Sequence, residues 1–416
     1  MPDAMKRVDV FLEFCCSCHT IYLYGAGRFG RETLVFLREH GIEVAGFLVT
    51  DHNEAGRDVL GVPVREIAGF CNECGSGIVL CIGRRYRKEM QTVLKARGIN
   101  RYYTVDEELL AEIEQQTAYT EVFPSNQHVN VLLYHRVAEV PKDDWNIAVS
   151  PQHFREQMSF LVNHYPIVRL GDDWSRISQP SVVVTFDDGY RDNYEHALPV
   201  LEEFGIPATF FVSTGLLGKE EYFWWDMLSE IFVQTEAERV TILGKDIAAS
   251  EIRLAHDMLN GLPHRERMSV LGELQRKYGL TTCVCDRARC TMSERELREL
   301  AAAPGVDIGA HTVTHSSLAA LDETGQEKEI CQSKERLESI LGKPVDFFSY
   351  PFGLYDKHTP YILQRHGFKL SPTVSAGLTN GGQPYEIHRN AVPDVGAEAF
   401  QKFLRRIYCV FAEVRP

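Results

Sequence analysis

SVVVTFDDGYRDNY, Ser181 to Tyr194, decides how the chain is read, and DIGAHTVTHSSL, Asp307 to Leu318, completes it. Val182, Val183, Val184 and Thr185 form a β-branched run that breaks at Asp187-Asp188-Gly189. A buried strand therefore ends in a turn with two carboxylates at its tip. Val306 to Ala310 is a second short strand, and it runs into His311 and His315. Strands alternating with helices indicate a parallel sheet, and such folds place their sites at the C-terminal strand ends. Asp oxygens and His nitrogens are the usual ligands of a catalytic divalent metal, which takes three protein ligands and keeps one position open. Asp188, His311 and His315 could be those ligands, which leaves Asp187 as the base. Each string alone has an ordinary explanation, a common Asp-Gly turn or polar surface histidines. Their joint occurrence at two strand ends favours the metal site.

From about residue 128 onward the chain resembles polysaccharide deacetylases of the NodB-homology type, carbohydrate esterase family 4. The two strings above resemble that family's first and second motifs, and FFSYPFG, Phe347 to Gly353, resembles the third. VLLYHRV, Val131 to Val137, and EIHRNAVP, Glu386 to Pro393, sit where members carry similar strands. The resemblance implies a distorted (β/α) barrel of about seven strands. It implies metal-dependent removal of an acetyl group from an N-acetylated amino sugar in surface-polysaccharide biosynthesis. Asp188, His311 and His315 would hold the metal, Zn2+ or alternatively Co2+ or Mn2+, and Asp187 would be the base. A backbone N–H near Phe352 would serve the oxyanion, with Tyr350, His135 and Trp225 as further substrate contacts. Many members carry an Arg in the third motif that pairs with the base. Ser349 stands there in this chain, and Arg389 could supply the charge from another strand end. His388 is the candidate general acid, or an ordinary strand-end residue. A catalytically silent carbohydrate or nucleotide-sugar binding protein is an alternative reading, as is a deacylase of a non-sugar amide or an O-acetyl ester.

The first part of the chain is a different α/β unit. GAGRFG, Gly25 to Gly30, follows a strand and opens a helix, and Asp51 ends the next strand. Glycines in that spacing allow a tight turn and close backbone approach to a phosphate at a helix N-terminus. Together with GFLVTD, GRDVLGVPV and LCIGRRYRKEM, the motif resembles the N-terminal domain of PglD-type bacterial sugar acyltransferases. That implies nucleotide-sugar binding by Gly25, Gly27, Gly30 and Asp51, with Arg84 near phosphate. NAD binding and a Rossmann-like domain kept only for packing are the alternatives. The domains expected are residues 1–124, Rossmann-like, and 125–416, deacetylase-like, with a mostly helical insertion over about 218–292.

Hydrophobic content of 44% and charged content of 25% suit a globular protein, and the net charge of -14 argues against nucleic-acid binding. No run of about 18 apolar residues suggests a membrane span. The N-terminal stretch lacks a signal-peptide pattern, so the cytoplasm is the expected location. The eleven cysteines are odd in number and read as reduced thiols; a zinc site from Cys15, Cys16, Cys18, Cys71 and Cys74 is the minor alternative. The expected partner is an N-acetylated saccharide or a nucleotide sugar, and a homo-oligomer is open.

Overall fold

The computed structural model describes residues 6–51, 54–70, 75–120, 128–235, 238–280 and 289–412. The chain divides into two compact units, His128–Phe400 and the remainder on both sides of it. The connection around Pro124, and Cys71 and Cys74, lie outside the described residues. Among those described, no helix is long and apolar enough to cross a membrane.

In the first unit the strand Thr20–Tyr24 lies between Val44–Val49 and Ser76–Cys81, both parallel to it. Val62–Glu66 and Tyr102–Val105 extend the sheet on either side, and only the two-residue strand Asp58–Val59 is antiparallel. The chain thus leaves the first strand in opposite directions, which opens a crevice at its C-terminal end. The expected boundary put residues 401–416 in the second domain, whereas the residues from Gln401 group with this first unit. The cause is local and specific. Glu32 is fully buried and needs a cation, and Arg406 meets it at 2.6 Å and Glu114 at 2.9 Å, while Cys409 and Val410 bury in the same core.

The second unit holds a parallel sheet in the order Val306–Ala310, Ala208–Val212, Ser181–Phe186, Val129–Tyr134, Asn390–Ala391. Its strands are buried along nearly their whole length, which is why they read as continuous apolar runs rather than alternating ones. Single parallel bridges, Ala310 to Phe348, Phe347 to Leu370 and Pro372 to Ile387, lead from the last of these strands back to the first. The barrel is therefore distorted, with part of its wall carried by bridges rather than ladders. The strands expected at Phe347–Tyr350 and Phe368–Thr373 shrink to those bridges, since Pro351 and Pro372 cannot donate to a ladder. Ser293 caps the helix Glu294–Ala302 in a capping box with Glu296.

The insertion comprises the helices Trp224–Gln234, Ile252–Asn260 and His264–Lys277 and an antiparallel hairpin, Arg239–Ile242 with Lys245–Ala248. Among the described residues the insertion is thus mostly helical, as expected, with this hairpin as the exception. Leu243 and Gly244 both have positive φ, 48° and 77°, the geometry of a two-residue hairpin turn.

Candidate active site

Four parallel strands deliver side chains to one edge of the second unit: His135 after Val129–Tyr134, Asp187 and Asp188 after Ser181–Phe186, Ser213 after Ala208–Val212, and His311 after Val306–Ala310. Asp188 leaves its strand with φ of 76° and Gly189 follows at 86°. That left-handed step lets two adjacent carboxylates point apart, and it arises one residue earlier than at the glycine alone. His315 and Phe352 also have positive φ, 51° and 58°. Strained backbone of this kind persists only where packing enforces it, and it gathers at functional sites.

Asp188 Oδ1 lies 3.1 Å from His315 Nε2 and 3.5 Å from His311 Nε2. The two imidazole nitrogens face each other at 3.0 Å. His311 Nδ1 donates to the Ser349 carbonyl at 2.7 Å, which fixes the tautomer and leaves the Nε2 lone pair free. Three acceptor atoms thus converge in a buried spot, and Asp188 Oδ1 finds no proper hydrogen-bond donor there. Such a set fits a divalent cation, which would satisfy all three at once. Burial pushes the His315 imidazole down, to about 4, so it is neutral at pH 7 and able to ligate. Burial works to raise the Asp188 carboxyl, but the adjoining His311 and His315 side chains outweigh it and hold it far below the usual range.

Asp187 turns the other way. Arg389, itself fully buried, meets it with a fork: Nη1 to Oδ1 and Nη2 to Oδ2, each 2.7 Å. Ser349 stands between them, accepting from Arg389 at 2.8 Å and donating to Asp187 at 3.2 Å. Arg389 also donates to the Thr373 carbonyl at 2.7 Å, and Thr185 supports the strand end through the Leu132 carbonyl. Burial works to raise the Asp187 carboxyl, yet the Arg389 guanidinium outweighs it and holds the group below its usual range, ionised at neutral pH.

These groups open on a cavity of about 350 Å³ lined by Asp187, Asp188, His311, His315, His135, Trp225 and Phe352, as the sequence suggests. Trp225 packs against His315 at 4.5 Å and donates its indole N–H to Tyr190, whose hydroxyl donates to Asp226. Two residues fall elsewhere. Tyr350 is fully buried, donating to the Tyr385 carbonyl and stacking on Tyr355, so it offers nothing to a ligand. His388 is exposed and packs beside Gly377, on the side of its extended segment away from Ile387 and Arg389. Alternation along an extended chain allows only one of His388 and Arg389 to face inward, and Arg389 does.

The cavity also takes residues that sequence analysis did not name: Trp145, Ile147, Arg253, His256, Asp257 and Val374. Arg253, His256 and Asp257 stand at i, i+3 and i+4 on the helix Ile252–Asn260, opposite a buried face of Ile252, Ala255 and Leu259. That spacing is a readable signal for a polar helical face, but nothing in it says what the face lines.

Asp226 is buried and pushed up to about 6, chiefly by burial, with Asp188 adding to the effect. A carboxyl raised in the folded state contributes stability below its unfolded pKa of 3.8 and loses it as pH rises through about 6. Wild-type stability should therefore fall by about 1 kcal/mol between pH 5 and 7 relative to Asp226→Asn. Thermal melts across that range check this, and parallel curves for the two proteins would refute it.

In the first unit Gly25, Gly27 and Asp51 line a cavity of about 640 Å³ with Arg28, Thr50, Glu54 and Glu89. Gly30 does not reach it: a Cβ there would lie 2.0 Å from the Gly25 carbonyl, so this glycine permits the turn to pack. Arg84 is likewise absent from the lining, and its backbone N–H donates to Glu107 at 2.8 Å.

The family model for polysaccharide deacetylase matches residues 175–242 and 268–371. A Bacillus subtilis protein named as a polysaccharide deacetylase, YxkH, is 23% identical over 281 residues, 66% of this chain and 75% of that one. The poly-β-1,6-N-acetyl-D-glucosamine N-deacetylase of Staphylococcus aureus is 27% identical over 164 residues, 35% of this chain and 56% of the enzyme's length. Among solved structures, Streptococcus pyogenes deacetylase PplD in complex with acetate covers 68% of this chain and 99% of its own, at 18% identity and a TM-score of 0.45.

Proposed function

Because the second unit is a polysaccharide deacetylase domain, we propose that this protein removes the acetyl group from an N-acetylated amino sugar in surface-polysaccharide biosynthesis. The observation that carries the reading is the pair of divergent carboxylates, one aimed at two imidazoles and the other held by a buried guanidinium. Asp188, His311 and His315 are the metal ligands, with Zn2+ the first choice for a set of one oxygen and two nitrogens. When bound, the cation would polarise the amide carbonyl and acidify water.

The remaining work belongs to the chain's own groups. Asp187, kept ionised and oriented by Arg389 and Ser349, accepts the proton of the attacking water. The Phe352 backbone, turned by its positive φ, offers its N–H to the oxyanion that forms as the carbonyl becomes tetrahedral. The nitrogen then leaves as an amine and needs a proton. His135 shares the cavity with both aspartates and is only partly buried, so it takes the role first given to His388. Trp225 and Phe352 provide apolar surface for the sugar ring.

The test is acetate release from N-acetylglucosamine oligomers by metal-loaded protein, before and after chelation, with elemental analysis in parallel. We expect turnover that chelation abolishes, one metal ion per chain, and its loss in His315→Ala. A His315→Ala protein with full metal content would break the ligand assignment, and metal-loaded protein that releases no acetate would break the reading itself.

A further inference from the structure

The stretch 243–267 interrupts the family match, yet its helix Ile252–Asn260 supplies Arg253, His256 and Asp257 to the wall of the catalytic cavity. We propose, resting on the deacetylase reading, that this helix selects the substrate and that Arg253 binds an anionic group, carboxylate or phosphate, carried by the saccharide near its N-acetyl group.

The helix is held rigidly for such a task. His256 stacks on Trp224 at 4.7 Å and meets Phe352 edge-on at 5.4 Å and Trp145 at 5.1 Å. Trp224 in turn carries the guanidinium of fully buried Arg267 over its ring at 4.6 Å. Burial lowers the His256 pKa, so its imidazole is neutral at pH 7 and adds no charge to the wall. Asp257 lies 3.4 Å from His256 Nδ1. Arg253 differs from its neighbours: it is exposed, and among the described residues no hydrogen bond or ion pair engages its guanidinium. It also lines an adjoining depression with Lys142, Asp143 and Asp144. The charges there are occupied, Lys142 by Asp144 at 2.9 Å and Asp143 by the backbone N–H groups of Trp145 and Ala148. The cation left over at the cavity mouth is Arg253, and a planar fork of donors suits carboxylate and phosphate oxygens alike.

Three probes test this. One is a neutral N-acetylglucosamine tetramer, one a tetramer alternating N-acetylglucosamine with N-acetylmuramic acid, and one uridine diphosphate N-acetylglucosamine. Acetate release is measured for metal-loaded wild type, Arg253→Ala and Arg253→Lys, and binding is measured by calorimetry on the Asp187→Asn protein with and without Arg253→Ala. Wild type should prefer one anionic probe over the neutral tetramer, and which one it prefers identifies carboxylate or phosphate. Arg253→Ala should lower that preference about tenfold, the scale of a hydrogen bond to a charged group, and Arg253→Lys should restore part of it. The calorimetric affinity for the same probe should fall by a similar factor. An anionic-to-neutral ratio and an affinity both unchanged in Arg253→Ala overturn the proposal. Loss of anionic affinity in Arg253→Ala, with no acetate released from any probe, keeps the anion site and removes the deacetylase reading instead.

Discussion

Asp187→Asn should lower kcat about 10²- to 10⁴-fold, the usual worth of a positioned general base, while the protein keeps its metal. The side chain is isosteric and still reaches Arg389 and Ser349, so the site keeps its shape while the proton acceptor, and with it the counter-charge of Arg389, is lost. Asp188 contributes the oxygen that faces His311 and His315, so metal binding does not depend on Asp187. Single-turnover acetate release with elemental analysis separates the two effects. An undiminished rate would remove Asp187 as the base. Loss of metal would mean that the division of labour between the two carboxylates is wrong.

Arg389→Ala should cost about 3–5 kcal/mol of stability and lower Tm by about 10 °C, because it strands a buried carboxylate without its cation. Turnover should fall as well, since Asp187 would then lose the fork that aims it, and its affinity for a proton would rise as burial goes unopposed by the guanidinium. Removing the charge removes the penalty, so Asp187→Asn combined with Arg389→Ala should recover part of the lost Tm while remaining inactive. Arg389→Lys should recover less than a full bidentate pair allows. Calorimetric unfolding of the four proteins checks this, and equal stability of wild type and Arg389→Ala would show that the pair is not what holds the site.

The β-branched runs made the core strands legible in the sequence, because strands buried on both faces need apolar side chains throughout. The strand ends were legible too, because Asp-Asp-Gly after Phe186 and the paired histidines after Ala310 are polar groups where an apolar run must stop. With those ends on one edge of a parallel sheet, Asp188, His311 and His315 were legible as a candidate ligand group.

What local sequence could not settle was which distant group approaches that edge. Arg389 reaches Asp187 across 202 residues, and Ser349, read as a gap in the third motif, fills the space between them. His388 and Arg389 are adjacent, and the register of a short edge strand decides which one turns inward. The polar face of Ile252–Asn260 becomes a cavity wall only through the packing of His256 on Trp224. The residues from Gln401 belong to the first unit because buried Glu32 requires a cation that Arg406 supplies. Sequence sets what each segment can form, since propensity and burial pattern are local. Pairings between buried charges depend on how the whole chain closes, and only the tertiary structure decides them.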